Sequence, residues 1–249
     1  MTISNDSDLI RLREIGRIVA DTLEAMGAAI EPGMTTGELD GIGRRLLEAA
    51  GARSGPELCY DFPGATCISV NEEIAHGVPG ERRILAGDLV NIDVSAEKNG
   101  IFADTGASFA VPPVSTAIER LCRDGRRAMW TGIRQVGVDR PLGGIGMAIG
   151  AFARRHRYTL VRNLASHGVG HSLHEEPGEI ATWPDRTERR TITEGLVFTI
   201  EPFLSMGGDF AQNGDDGWTL LSEPRAPTVQ YEHTVVATRH GPLVVTLPG

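Results

Sequence analysis

A chain of 249 residues, 41% of them hydrophobic, can bury roughly 70–75% of its unfolded surface in a core. A net charge of -9 excludes nucleic acid or an anionic membrane as the main partner, and no apolar run approaches the roughly 20 residues of a membrane span. Cys59, Cys67 and Cys122 are irregularly spaced and point to a reducing compartment; the N-terminal stretch lacks the basic and apolar regions of a signal peptide, so a cytoplasmic location is expected.

Residues 7–28 are predicted as an amphipathic helix, with Leu12, Ile15, Val19, Leu23 and Met26 at helical spacing and Ser7 as its cap. Thr35-Thr36-Gly37-Glu38 is a capping-box pattern that opens a second helix on Leu39, Ile42, Leu46 and Leu47, stopped by Gly51. Residues 52–66 read as loop, Cys67–Val70 as a short strand, and Asn71–Gly80 as a connection carrying His76. After Pro112-Pro113, a helix capped by Thr116 and Glu119 runs to about Gln135, and another follows Pro141 on Ile145, Ile149 and Phe152. Strands are expected at Tyr158–Val161, Leu196–Ile200, Trp218–Leu221, Gln230–Ala237 and Leu243–Leu247. The order helix, helix, strands thus occurs twice, over about 7–112 and 113–249. With no linker-like composition, residues 1–249 are expected to form one α+β domain.

The stretch Val90–Asp104 organises the first half. Val90, Ile92 and Val94 alternate with Asn91, Asp93 and Ser95, and Asn99-Gly100 suits a tight turn between two strands. A two-residue loop sets Asp104 opposite Ser95; a four-residue loop sets it opposite Asp93. Both registers leave Asp93 and Asp104 on one face. Like charges side by side on a sheet repel, and a cation between them removes the conflict. His167, Glu201 at the end of a strand before Pro202, and Glu232 are further residues of metal-ligand type. Four converging carboxylates about 5 Å apart repel by roughly 3 kcal/mol per pair at an effective dielectric of about 20. The total, up to ~20 kcal/mol, exceeds the ~5–15 kcal/mol that holds a domain together. Such a cluster needs cations or protons. Two divalent ions fit the charge count, and four carboxylates to one imidazole suit Mn, Fe or Co at least as readily as Zn.

In order and spacing, NEEIAHGVP, VNIDV, FADT, SHGVGHSLHEEP, FTIEP and YEHT resemble the type I methionine aminopeptidases, over about residues 9 to 249; EPGMTTGELD and DGWT at 216–219 are similar too. The resemblance implies a pita-bread fold, two pseudo-symmetric halves with helices packed on antiparallel sheet. It implies Asp93, Asp104, His167, Glu201 and Glu232 as ligands of two divalent ions (Co, Mn, Fe, Zn or Ni), with Asp104 and Glu232 bridging, and possible use of a monovalent cation. It further implies a metal-bridged water as nucleophile, Glu201 as general base, and His76 and His174 beside the scissile amide. Tyr60, Phe62, Cys67, Leu173 and Trp218 map onto the methionine pocket, where soft and aromatic groups suit a thioether. The implied activity is removal of the initiator methionine before a small second residue, from nascent chains at the ribosome, by a monomer with no nucleic-acid or membrane partner.

Several positions depart from the family's usual residues: Phe102-Ala103 before Asp104, Ser166 and Asp61 for Gly, Leu173 for Phe, and Ala75 for Cys. Leu173 and Tyr60-Asp61-Phe62 bear on side-chain preference more than on reaction type. His171 mimics a zinc pair with His167, but no HExxH is present. The alternatives are an X-Pro aminopeptidase, whose relatives usually carry an extra N-terminal domain, and a catalytically dead peptide-binding relative.

Overall fold

Each helix pair forms because its apolar face has a sheet to cover. In the computed structural model, which describes Met1–Gly249, α1 (Asp6–Ala28) buries Leu12, Ile15, Val19, Leu23 and Met26, the face its periodicity predicts. The cap is Asn5 rather than Ser7: the Asn5 side chain accepts from the Asp8 N–H, and Ser7 lies within the first turn. α2 (Thr36–Ala49) opens with the predicted capping box between Thr35 and Glu38. The chain leaves it through Gly51 at φ 70°, a conformation glycine adopts without strain.

The expected loop at 52–66 instead holds a two-residue strand, Arg53–Ser54, and a one-and-a-half-turn helix, α3 (Gly55–Tyr60). Ser54 caps it by accepting from the Glu57 N–H, with Pro56 in the first turn. Six residues are too few to show an amphipathic period.

Leu89–Lys98 and Ile101–Ala110 form a ten-pair antiparallel hairpin. Asp104 faces Ser95, so the turn is the two-residue one, with Asn99 at φ 54° and Gly100 at φ 79°. The outer edge of Leu89–Lys98 pairs with Cys67–Val70 and Arg53–Ser54. α1 and α2 cover this sheet, packing Leu12, Ile15, Met26 and Leu39 with Val90, Ile92 and Val94.

In the second half, α4 (Thr116–Ile133) is capped by Ser115, one residue before the expected Thr116, and α5 (Gly144–His156) follows. They pack Leu121, Met129, Ile145 and Ile149 with Phe198, Ile200, Val229 and Val235. The sheet beneath runs Gly241–Val244, His233–Thr238, Val197–Ile200, Ser166–Gly168, Glu175–Ile180 in spatial order. The single strand expected at Gln230–Ala237 is broken. Thr228–Gln230 pairs with Phe203–Ser205, whereas His233–Thr238 pairs with Val197–Ile200, so Tyr231 and Glu232 lie where the chain changes sheets. Glu73–Ala75, within the connection read from sequence at 71–80, pairs with Leu220–Glu223, which pairs in turn with Phe210–Asn213, to make a separate three-stranded sheet. The two halves are stitched along Ile101–Ala110. Thr234 Oγ1 accepts from the Asp104 N–H and donates to the Asp104 carbonyl, Thr105 Oγ1 donates to the Glu232 carbonyl, and the Glu232 N–H donates to Gly106. The architecture is α+β. No helix is long and apolar enough to cross a membrane.

Candidate metal centre and substrate pocket

The seam between the halves gathers acidic side chains from four elements. Asp93 faces Gly106 across the hairpin, one diagonal step from Asp104 on the same face. Asp104 and Glu232 are both almost fully buried, and their oxygens lie within 4.8 Å of a His167 ring nitrogen and of each other. His167 Nε2 is 3.8 Å from Asp104 Oδ2 and 3.5 Å from Glu201 Oε1. Glu201 follows Val197–Ile200 directly, where its N–H donates to Ser166 Oγ and its Oε1 accepts from Thr199 Oγ1 at 2.7 Å.

Burial pushes the Asp104, Glu201 and Glu232 carboxyls well above the ordinary range. Neighbouring negative charge adds to it: Asp93 and Glu201 act on Asp104, and Asp104 and Glu201 on Glu232. Asp93, partly open to solvent, is pushed up by the same enclosure to about 6. Burial pulls His167 down to about 3, and the neighbouring His174 adds to the effect. Its approaches to Asp104 and Glu201 are therefore contacts of a neutral ring, not ion pairs. His167 Nδ1 lies 3.0 Å from the Gly168 carbonyl, which can only accept. The proton sits on Nδ1, and the Nε2 lone pair faces the carboxylates.

This donor set fits a divalent cation. Asp104 Oδ1 and Glu232 Oε1 are buried without any hydrogen-bond partner, although a buried carboxylate oxygen normally has one. The other Glu232 oxygen accepts from Gln230 Nε2 at 2.9 Å, and Gln230 Oε1 accepts in turn from Asn91 Nδ2. The carboxylate is thereby aimed. Hard oxygen donors, one imidazole lone pair and two orphaned oxygens turned to one point are what such an ion requires.

A pocket of about 230 Å³ opens beside these groups. Its apolar wall is Phe62, Cys67, Leu173 and Trp218; its polar wall is Asp93, Asp104, His167 and Glu201. Phe62 and Trp218 meet edge to face at 5.2 Å, which fixes both rings. Tyr60, His76 and His174 complete the lining. His174 stacks at 3.9 Å on His167, and its Nδ1 lies 2.6 Å from the Tyr60 hydroxyl. Burial, then the charge of His76, pulls His174 down to about 4. His76 occupies φ 52°, a left-handed conformation rare outside glycine. All five acidic and imidazole residues singled out as ligands thus converge, and every residue assigned to the pocket lines it. His171 is exposed, its N–H bound to Glu175. Pro56 and Ser95, not among the site residues expected from sequence, also line the pocket, and Gln230 and Thr199, likewise unexpected, aim the carboxylates. No motif marks Gln230 or Thr199; each stands two residues before the carboxylate that it hydrogen-bonds.

Comparison with known proteins gives the arrangement its relatives. The profile of metallopeptidase family M24 matches residues 10–239. The chain is 42% identical over 247 residues to methionine aminopeptidase 2 of Bacillus subtilis, covering 99% of each. It superposes on the crystal structure of methionine aminopeptidase from Rickettsia prowazekii with a TM-score of 0.94 at 32% identity, covering 99% of this chain and 100% of that one. The prolidase of Pyrococcus furiosus shares the fold at a TM-score of 0.79 and 20% identity; all of this chain matches 66% of it.

Proposed function

Because the chain belongs to metallopeptidase family M24, we infer that it is a methionine aminopeptidase, removing N-terminal methionine from polypeptides with a small second residue. The observation that carries this reading is the enclosed apolar pocket joined to the carboxylate–imidazole cluster, in a chain matched end to end by a methionine aminopeptidase. An unbranched thioether suits a wall of Cys67, Leu173, Phe62 and Trp218.

We propose Asp93, Asp104, His167, Glu201 and Glu232 as the residues that hold two divalent ions. The two orphaned oxygens suit Asp104 and Glu232 as bridges. Bound there, the ions supply a Lewis acid and lower the pKa of water. Glu201 takes the proton of the attacking water and returns it to the departing amine. We assign the Tyr60 hydroxyl, 2.6 Å from His174 Nδ1, as the donor in that contact. That leaves the His174 proton on Nε2, as a donor to the oxyanion. His76 binds the substrate amide. The ions are drawn from Co, Mn, Fe, Zn and Ni, with a monovalent cation as an accessory. The enzyme works as a cytoplasmic monomer on nascent chains leaving the ribosome.

Hydrolysis of Met-Ala-Ser, Met-Leu-Ser and Xaa-Pro-Ser peptides, with chelator and then with each ion restored, tests the reading. Met-Ala-Ser is expected to be cleaved far faster than Met-Leu-Ser, and only with metal. Faster cleavage of Xaa-Pro-Ser would move the chain to the X-Pro aminopeptidases, and no cleavage at any metal to the inactive relatives.

A further inference from the structure

The oxygen and nitrogen of a carboxamide are nearly equal in size, so packing cannot choose which way round a buried Gln side chain sits; only its hydrogen-bond partners can. Gln230 is such a side chain. Its carboxamide lies against Gly106, where a Cβ would meet both Oε1 and Nε2. One way round, Nε2 donates to Glu232 Oε2 at 2.9 Å and leaves Glu232 Oε1, the buried oxygen without a partner, for a cation. The other way round, the carboxamide oxygen would face the carboxylate, and two acceptors repel. Asn91 decides between the two. It is buried on Leu89–Lys98, and its Nδ2 donates to Gln230 Oε1 at 2.8 Å. The orientation of Asn91 is fixed in turn. Its Nδ2 faces the Gln230 carbonyl at 3.4 Å and Ser108 Oγ at 3.3 Å. The carbonyl can only accept. The Ser108 hydroxyl accepts from the Gln230 N–H and donates to the Gln230 carbonyl, both at 3.1 Å, so its hydrogen is spent and toward Asn91 it too accepts. Two acceptors oblige Asn91 to present its NH2.

We propose that Asn91 is a positioning residue for the metal centre: it fixes the orientation of the Gln230 carboxamide and thereby turns Glu232 Oε1 toward the ions. The inference rests on the reading of Glu232 as a metal ligand. Asn91 itself belongs neither to the pocket lining nor to the donor cluster. It acts through a relay that starts and ends on Gln230. The Gln230 main chain orients Ser108 and Asn91, Asn91 orients the Gln230 side chain, and that side chain orients Glu232. A donor that supports a ligating carboxylate tunes the site almost as strongly as a ligand does. Alternation puts Asn91 and Asp93 on one face of the hairpin. The strand that supplies a ligand of the first half therefore also supports a ligand of the second.

Titration calorimetry with Mn²⁺ and NMR hydrogen exchange of the metal-free protein test the inference. Asn91→Leu, close to Asn in size but without a donor, should weaken Mn²⁺ binding by about 10–100-fold. At saturating Mn²⁺, KM for Met-Ala-Ser should be unchanged. Gln230→Met should weaken Mn²⁺ binding by a similar factor. The double variant should lose no more than the more affected single variant, since both act through one bond to Glu232. Without metal, the Gln230 carboxamide protons should exchange slowly in the intact protein and fast in Asn91→Leu. Asn91→Ser, whose hydroxyl stops short of Gln230 Oε1, should move both readouts in the same direction and carries the test if the Leu variant does not fold. Unchanged Mn²⁺ affinity in the Asn91 variants, losses that multiply in the double variant, or Gln230 protons that exchange equally fast with and without Asn91 each overturns the assignment. An intact protein with protected Gln230 protons that binds no Mn²⁺ is a failure of the ligand reading. One that binds Mn²⁺ and cleaves Met-Ala-Ser while the Asn91 variants match it is a failure of Asn91 alone.

Discussion

Asp104 and Glu232 arrive at one point from opposite kinds of backbone. Asp104 sits inside an uninterrupted ten-pair ladder, its position fixed by register. Glu232 sits in the break between two strands of different sheets, its backbone held by its N–H to Gly106 and by Thr105 Oγ1 on its carbonyl, and its carboxylate aimed by Gln230. Both are buried, and both present an oxygen without a partner. A regular ladder supplies precision through repetition. A break supplies it only through side-chain bonds specific to that site, so the two should fail differently when perturbed.

The largest expected effect treats them alike. Asp104→Ala and Glu232→Ala should each abolish Met-Ala-Ser hydrolysis and lower bound metal measured by mass spectrometry. Full activity in either would remove that residue from the ligand set. Glu201→Gln should lower kcat by about 10²–10⁴-fold while peptide binding persists.

Gly106→Ala should separate the two regions. A Cβ there would lie 2.4 Å from Gln230 Oε1, so Gln230 must shift and Glu232 loses its support. The hairpin ladder itself tolerates alanine. Metal affinity should fall by roughly 10–100-fold, as when a supporting partner is removed, with little change in KM. An unchanged metal titration would show that Glu232 needs no such support.

A pH series sharpens the comparison further. The folded, metal-free cluster holds protons that the unfolded chain releases near pH 4. Its stabilisation is complete below that and is lost as pH rises through about 6, where Asp93 titrates. His167, pulled down to about 3, acts in the other sense: its contribution is full above about 6.5 and lost as pH falls toward 3. Added Mn²⁺ replaces the protons on the carboxylates. The rise in Tm it produces should therefore be larger at about pH 7.5 than at about pH 5.5; an equal rise would mean that the ion binds elsewhere. Asn99→Ala, at φ 54° in the hairpin turn, should cost only about 1 kcal/mol in a denaturant titration and leave kcat untouched.

The same contrast explains what the sequence made legible. Strict alternation and Asn99-Gly100 sufficed for the hairpin and narrowed it to two registers, one of which the structure adopts. Helices α1 and α2 were legible from their periodic faces and from the Thr35–Glu38 box. α3 was not, because six residues hide any period. The break at Tyr231–Glu232 was invisible because Gln230–Ala237 holds no Gly, Pro or Asn to mark it; partner choice, a tertiary fact, divides it. Residue types in order picked out the acidic side chains, His167 and the apolar residues that the fold brings together at the seam. The bonds that orient them, such as Gln230 to Glu232, link neighbours that carry no signature of their own.

The stitching of Asp104 to Thr234 spans 130 positions. A growing polypeptide therefore possesses the hairpin aspartates long before their counterpart has been synthesised. With the ligand set proposed above, ion loading would be a late event in maturation, after nearly all of the chain has emerged, and an early ion would find only half of its coordination sphere.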